Sequence, residues 1–318
     1  RTFPGTPRAD YAPTGVDTRT SLVPTLKRTF KEFSEDNMTD WAASLTYYGL
    51  LAIFPALIAL MSIIGLVGNP AKTASTITDI VTNITHDESV SKPFESVAKA
   101  KSSSGIAFVL GLVLALNAAS GYVGAFMRAS NVVWETPEGR GFFKLRPLQI
   151  LVTLLMVLLL AVVLLSVILT GPVVDAVAGP LGIGSTAVDI WNIAKWPVLL
   201  VIVTLMFSVL YHFAPNVKMP AFRWVSPGAA VAVVLWIIAS AAFAFYVANF
   251  GSYNKTYGTL GGLVALLVWV WITNCVLLLG MELNAERERS VELEAGVPRA
   301  AREIQLEPRD EPKPKEST

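Results

Sequence analysis

Two ionisable side chains follow long apolar runs, and each has the chemistry of a proton carrier. Glu282 directly follows the run LVWVWITNCVLLLGM, and His212 closes another apolar run. Burial and neighbouring charge can move the pKa of a carboxyl or imidazole group into the physiological range, as proton relay requires. Each also has a structural interpretation. His212 could simply form hydrogen bonds, and Glu282 could pair with Arg128 or Arg223 or face water at the membrane boundary.

Polar and small residues also recur at helical spacing between residues 117 and 131. They share one helix face, at the spacing i, i+4, i+7, i+11 and i+14: Asn117, Gly121, Gly124, Arg128 and Asn131. An asparagine exposed to lipid at midspan is costly unless it is paired, so we expect this face to point into the protein. There it either packs against a neighbouring helix or lines a polar route for transport or gating. The other residues of this candidate route are Thr204, Ser208, His212, Glu282 and Asn284.

Proline and glycine mark two further positions in the apolar runs. Pro55 removes a backbone N–H and frees a carbonyl group one turn earlier, which produces either a hinge or a packed kink, with Tyr47 and Tyr48 nearby. Gly258 and Gly262 form a GxxxG pair that favours close helix packing. Such packing occurs within one bundle or between subunits, so the sequence leaves open whether the protein forms a homo-oligomer.

Six apolar stretches are long enough to carry these residues across a bilayer, which takes about 20 residues per helix. Of the 318 residues, 53% are hydrophobic and 15% are charged, and the mean hydropathy is +0.55, far too apolar for a water-soluble domain. The runs lack the alternation of barrel strands. The sequence therefore predicts an all-α, polytopic integral membrane protein. Its six transmembrane helices span residues 44–68, 105–127, 148–170, 193–213, 228–248 and 258–281.

The distribution of lysine and arginine predicts the orientation of these helices. If the N-terminus is cytoplasmic, more of these residues flank the cytoplasmic helix ends than the outer ones, so both termini are expected in the cytoplasm. Residues 1–21 and the charged residues 286–318 are predicted to be disordered tails. The six-helix domain then covers residues 22–285.

Two segments outside the spans have amphipathic patterns. Leu26, Phe30 and Phe33 recur at i, i+4 and i+7 beside basic residues, which predicts a helix on the inner leaflet or a solvated helix that packs on the bundle. Two apolar stripes between residues 69 and 104 predict short extracytoplasmic helices between spans 1 and 2.

Several function classes lack their usual residues in this sequence. The motifs GxxxxGK[ST], HExxH and GxSxG are absent, and the two histidines, His86 and His212, fall on opposite sides of the predicted membrane. The single cysteine, Cys275, cannot form a cysteine-based zinc site or an intrachain disulfide. The net charge of +1 does not favour nucleic-acid binding. We expect no enzyme activity, no catalytic residue, no metal and no cofactor.

Two segments resemble the YihY/BrkB family of bacterial inner-membrane proteins: residues 211–286, and WAASLTYYGLLAIFPAL at residues 41–57. The resemblance covers roughly residues 22–286. Its most specific motifs are Ala-Ser-Leu-x-Tyr-Tyr at 43–48, residues 211–216, Pro227-Gly228, Tyr257-Gly258-x-Leu260-Gly261 and Gly280-x-Glu282-Leu283-Asn284. Where family members usually carry Tyr-Arg, this chain has Tyr211-His212, so a role assigned to that arginine does not transfer.

The resemblance implies six spans, cytoplasmic termini and a multi-pass location in the bacterial inner membrane. It also implies a link to envelope integrity, to serum resistance in a pathogen and, in one branch, to lipid export. The function expected is a transporter or lipid-translocation factor, and the alternative is a structural or accessory envelope protein. Membrane lipids, a lipid or small-molecule cargo and envelope proteins are the partners expected. We regard the older label of similar proteins, ribonuclease BN, as a misassignment.

Overall fold

The computed structural model describes residues 22–67, 105–168, 185–219, 225–249 and 259–312. These ranges contain helices and no strands, apart from one isolated antiparallel bridge between Val217 and Pro308. The all-α prediction is therefore confirmed for the described residues. The helices are α1 (Leu22–Glu35), α2 (Met38–Val67), α3 (Gly105–Val133), α4 (Phe142–Ile168), α5 (Ser185–Phe213), α6 (Pro227–Asn249) and α7 (Thr259–Glu294).

Five of the described helices, α3 to α7, are long and apolar enough to cross a membrane. The helix α2 covers most of the predicted first span, and its crossing stays a prediction, as does the count of six. The predicted outer helices at residues 69–104 lie outside the described residues. The helix α7 is longer than expected, because it continues past residue 281 to Glu294.

The helices α2 to α7 form a closed ring. Each packs against the next along the chain, and α7 packs back against α2. Further contacts of α2 with α4 and of α3 with α7 fill one side of this ring. The helix α1 lies against α7 and α2. We call the end of the ring where α1 packs the α1 end.

The hydrophobic core is concentrated at the α1 end. Its main cluster joins the first turns of α2 and α6 to the last turns of α3 and α5 and to α7, with Met38, Phe126 and Leu278 fully buried. A smaller cluster around Ala59 and Leu116 joins only α2, α3 and α4 near the opposite end. The far half of α6 exposes large apolar side chains such as Phe245, as a lipid-facing helix does.

The C-terminal segment folds back onto the α1 end. After α7 the chain turns at Gly296, whose φ of +67° lies in the left-handed region, and Ile304 enters the main core. The predicted disorder of residues 286–318 is therefore wrong for residues 286–312, because residues 286–294 are helical and the rest of the segment packs against the bundle. Residues 1–21 and 313–318, also predicted to be disordered, lie outside the described residues.

Charged side chains hold this segment because they supply hydrogen bonds that the end of α5 lacks. Arg309 donates from Nη2 to the carbonyl of His212 (2.6 Å) and from Nε to that of Val217 (2.8 Å). Arg140 donates to the carbonyl of Ala214 (2.8 Å). The last carbonyl groups of a helix have no intrahelical donor, and cations near them are favourable. Arg309, one of the charged residues on which the prediction of disorder rested, thus caps the end of α5.

The helix α1 packs on the bundle with its polar side. Thr25 and Thr29 are buried, and the Thr25 hydroxyl lies 2.9 Å from the Ser290 hydroxyl of α7. Leu26 and Phe30 are exposed, and Phe33 packs against the main core. The prediction of a helix here is confirmed. It packs on the bundle and leaves an apolar face uncovered.

The backbones of α6 and α7 approach closely at Gly228 and Gly280. A Cβ atom at position 280 would lie 2.5 Å from the Tyr211 Oη and 2.7 Å from the Gly228 carbonyl oxygen. The predicted GxxxG contact is not found at Gly262 among the described residues, since a Cβ atom there would meet none of their atoms within 4 Å. Gly258 lies outside the described residues.

We predict that Gly280→Ala destabilises the protein by about 1–3 kcal/mol, because a methyl group there forces α6 and α7 apart. The matched control is Gly262→Ala, also within α7, which should leave stability unchanged or slightly raised. Thermal unfolding of the purified protein in detergent measures both. Equal melting temperatures for the two variants would contradict the close α6–α7 contact.

Candidate functional site

Two residues of the predicted polar route cap the start of α6. Asn284 accepts a hydrogen bond from the Gly228 N–H (2.8 Å) and donates to the Ser226 Oγ (3.1 Å). The Ser226 Oγ also accepts from the Ala229 N–H (3.1 Å), as an N-cap residue does. The Ser208 Oγ accepts from the Ser226 N–H (3.3 Å). Ser208 and Asn284 therefore satisfy a helix terminus.

The rest of the predicted route does not converge on one place. Asn117 accepts a hydrogen bond from Arg146 of α4 (3.0 Å), and Thr204 donates to the carbonyl one turn earlier in α5 (2.7 Å). Arg128 is exposed, with its guanidinium 5.4 Å from the centroid of the Tyr48 ring. The His212 carbonyl is bound by the C-terminal segment. Among the described residues these side chains serve separate contacts, and a polar route through them stays a prediction.

The other predicted positions lie around α2 and α3. Tyr47 is exposed and stacks edge-on against Tyr48 at 5.5 Å, and α2 continues through Pro55. Both glycines predicted for packing on α3 have close neighbours. A Cβ atom at Gly124 would lie 3.0 Å from the Gln149 Nε2 of α4, and one at Gly121 would lie 3.9 Å from the Tyr48 ring.

A hydrogen-bond network at midspan escaped the sequence analysis. Asn274 of α7 is 1% exposed, accepts a hydrogen bond from the Tyr122 hydroxyl of α3 (2.8 Å) and donates to the Thr46 Oγ1 of α2 (3.2 Å). Three helices of the ring are thereby joined in the part that faces hydrocarbon. The signal that could have revealed it is a lone asparagine inside the apolar run that precedes Glu282.

Buried charges gather in the C-terminal half of α7, more than two turns beyond Asn274. Glu286 is fully buried and accepts a hydrogen bond from the Arg28 Nε of α1 (2.8 Å). Its other oxygen lies 2.7 Å from the Arg289 Nε, in an ion pair whose angle does not make a hydrogen bond. Arg289 donates to Glu135, after α3 (2.9 Å), and Glu135 accepts from the Ile304 N–H (2.7 Å). We call these residues and Glu282 the α7 charge cluster.

Glu282 is the exception within the α7 charge cluster. It is 2% exposed, and its Oε2 has no hydrogen-bond partner among the described residues. The predicted pairing with Arg128 is not found, because that guanidinium lies over Tyr48, and Arg223 lies outside the described residues. Exposure to water at the boundary is wrong as well, because the side chain is buried. Within the described ranges no group of three histidine, cysteine or acidic residues is arranged to hold a metal ion.

A shallow cleft opens on the outer surface between α2 and α7. Its volume is about 250 Å³, and it is lined by Ala43, Thr46, Leu267, Val268 and Trp271. The Trp271 indole donates to the Thr39 carbonyl (3.2 Å) at one side of it. Because Thr46 also accepts from Asn274, the polar network lies directly behind this largely apolar cleft.

Comparison with known proteins identifies relatives over most of the chain. A family model described as "Virulence factor BrkB" matches residues 29–304. YfkH of Bacillus subtilis, a protein whose name describes it as ribonuclease-like, is 29% identical over 271 residues, which cover 82% of this chain and 94% of the relative. The UPF0761 membrane protein MS0032 of Mannheimia succiniciproducens is 26% identical over 257 residues, 80% of this chain and 85% of the relative. A UPF0761 membrane protein of Alcanivorax borkumensis is 26% identical over 80% of this chain, but the match covers 58% of the relative. No solved structure matches.

Asp36, in the turn between α1 and α2, makes stability depend on pH. Burial, followed by the charges of Glu32 and Glu135, raises the pKa of Asp36 from 3.8 to about 6. The folded protein thus binds this proton more tightly than the unfolded chain does. The resulting stabilisation is complete below about pH 4 and is lost as the pH rises through about 6.

The wild-type protein should lose free energy of unfolding between pH 4 and pH 7. We predict that Asp36→Asn makes this loss smaller by about 1 kcal/mol, after allowance for the partial exposure of Asp36. Unfolding in detergent at a series of pH values measures this. Asp40→Asn, an exposed carboxylate in the first turn of α2, is the control and should retain the wild-type slope. A wild-type slope in Asp36→Asn would contradict the burial of Asp36.

Proposed function

This chain belongs to the BrkB family, whose model matches residues 29–304, and we propose that it is a transporter or lipid-translocation factor of the bacterial inner membrane that supports envelope integrity. Membrane proteins are also named among its relatives. The residues that would carry this function lie in the membrane interior of the ring and not at its polar ends.

The observation that carries this proposal is the burial of Glu282, whose Oε2 has no hydrogen-bond partner among the described residues. A carboxyl group that only stabilises the fold is expected to pair with a cation or accept hydrogen bonds, as Glu286 does with Arg28. Ionisable residues at membrane depth are costly, and those that stay unpaired mark ion or substrate pathways. Glu282 is as deeply buried as a structural residue, but its Oε2 has no hydrogen-bond partner among the described residues.

The cleft between α2 and α7 supports lipid as the cargo. Its apolar lining and lateral opening suit part of an acyl chain, and Thr46 offers a hydroxyl group at its base. The Asn274 amide behind Thr46 links the cleft to Tyr122 of the neighbouring helix α3.

The helix α1 supports an orientation with the α1 end in the cytoplasm. Because Thr25 contacts Ser290, the two ends of the described chain lie at the same end of the ring. The exposed Leu26 and Phe30 share α1 with the exposed cations Lys27 and Lys31. An apolar face flanked by lysine suits an anionic leaflet surface, as expected for the cytoplasmic side.

Transport can be tested by reconstituting the protein into liposomes with labelled phospholipids. We expect transbilayer movement above that of empty vesicles, reduced several-fold by Ala43→Trp, which fills the cleft. Leu51→Trp, an equally exposed position of α2 outside the cleft, is the matched control and should move lipid at the wild-type rate. Lipid movement no faster than in empty vesicles, with or without a pH gradient, would contradict the proposal.

A second candidate function is that of a structural or accessory envelope protein. It is favoured by the polar surface of residues 295–312 at the α1 end, where Arg302 and Glu303 are exposed. Partner proteins could dock there without any transport. Removal of the whole C-terminal segment does not separate the two functions, because Ile304 and Arg309 hold the fold.

Surface and interior substitutions do separate the two functions. In cells that lack the protein, we expect the double variant Arg302→Glu, Glu303→Lys to restore envelope integrity and Glu282→Gln to fail. Growth in the presence of a bile salt, with equal protein levels in the membrane, measures this. The reverse pattern, with an active interior variant and an inactive surface variant, would favour the accessory role and count against transport.

A further inference from the structure

We propose that Glu282 is a proton-binding site: it holds a proton within the α7 charge cluster and exchanges it with the α1 end of the protein. The proton binding itself follows from the surroundings of Glu282. That this proton drives transport rests on the proposed function. The ion is a proton, and its site is the buried Glu282 carboxyl group.

Charged groups face Glu282 from several elements, and most of them are negative. The same stretch of α7 contributes Glu286 and Arg289, α1 contributes Glu32, and the turn after it contributes Asp36. The facing first turns of α6 carry no titratable side chain, and the acidic residue in the first turn of α2, Asp40, is exposed. Three carboxylates and one guanidinium therefore act electrostatically on the Glu282 carboxyl group.

The cations of the cluster are already engaged. Arg28 bonds to Glu286 and to the Ser290 hydroxyl. Arg289 is shared between Glu286 at 2.7 Å and Glu135 at 2.9 Å. These contacts balance the charges of Glu286 and Glu135, and no cation among the described residues forms an ion pair with Glu282.

The buried carboxyl group is therefore more stable in its neutral form. An ionised carboxylate whose Oε2 accepts no hydrogen bond would lose its hydration without compensation, beside other negative charges. A protonated carboxyl group avoids both costs. No group that could hold a metal ion is found in the described ranges, so the proton is the cation that fits this site.

Asp36 provides the exchange partner on the water side. It is half-buried, is among the charges that act on Glu282, and has a pKa raised to about 6 by burial and then by Glu32 and Glu135. In the exchange step the O–H bond of Glu282 breaks, and the proton forms an O–H bond with the Asp36 carboxylate, directly or through water. Glu282 is left as a carboxylate, Asp36 becomes neutral, and no electrons are transferred.

Loss of the proton to solvent would change the α1 end. A new negative charge at Glu282 would lie beside Glu286, whose bond to Arg28 holds α1 on α7. Compensation requires Arg289 to shift away from Glu135 or Glu286 toward Glu282. Proton release and the packing of α1 on α7 are thereby coupled through the ion pairs of Arg28 and Arg289.

Infrared difference spectroscopy on the full-length protein in liposomes tests the site. We expect the carbonyl stretch of a protonated carboxyl group at neutral pH, lost at alkaline pH and absent in Glu282→Gln. Asp40→Asn, which removes an exposed carboxylate from the first turn of α2, is the control and should keep the band. If Glu282→Gln does not fold, as judged by gel filtration, Glu282→Asp serves instead, and a shifted band supports the assignment. Absence of the band at neutral pH in the wild type, or a band unchanged by substitution of Glu282, would overturn the inference.

The outcome is separable from that of the proposed function. A Glu282 band in a protein that moves no lipid would leave the proton site standing and reject lipid transport. Lipid movement by a protein with no such band would support transport and reject the proton site.

Discussion

Hydrocarbon offers no hydrogen bonds, so every polar group inside the bilayer needs a partner within the protein. This constraint accounts for the contacts that join the ring. Asn274 binds Tyr122 and Thr46 and thereby joins three helices at midspan. Asn284 completes the first turn of α6, which brings that helix close enough to α7 for Gly228 and Gly280 to touch. Apolar packing fills the space that these polar contacts define, most densely at the α1 end.

The α7 charge cluster follows the same constraint with one departure. Glu286 and Arg289 are as deeply buried as many core residues, and each reaches a charge of opposite sign. Such pairs are costly to bury and costly to break, so they fix the position of α1 and of the C-terminal segment on the ring. Glu282, one turn deeper, departs from the pattern because its Oε2 is unpartnered. Glu282 thus lies where the closed, well-packed end of the bundle meets its more open half.

Much of the fold could be predicted from the sequence, because long apolar runs leave a helix as the only satisfied backbone in lipid. The helix α1 was predictable from its periodic apolar residues. The ordered C-terminal segment was not, because its charges looked solvated until Arg309 met the end of α5, far away in the sequence. For the same reason the capping of α6 by Asn284 was not predictable. A polar side chain does not reveal in sequence whether it will cap a distant helix, and a GxxxG pair does not reveal whether a neighbour is present at Gly262.

The central claim is that the α1 end of the bundle seals Glu282 from water. Thiol labelling with a membrane-impermeant reagent tests it most directly, in a Cys275→Ser background that removes the single native cysteine. Arg302→Cys, at an exposed position of the C-terminal segment, supplies the reference rate. The account predicts rapid labelling at 302 and labelling at 282 only after the protein is unfolded. Labelling of Glu282→Cys in the native protein at the rate of Arg302→Cys would contradict it.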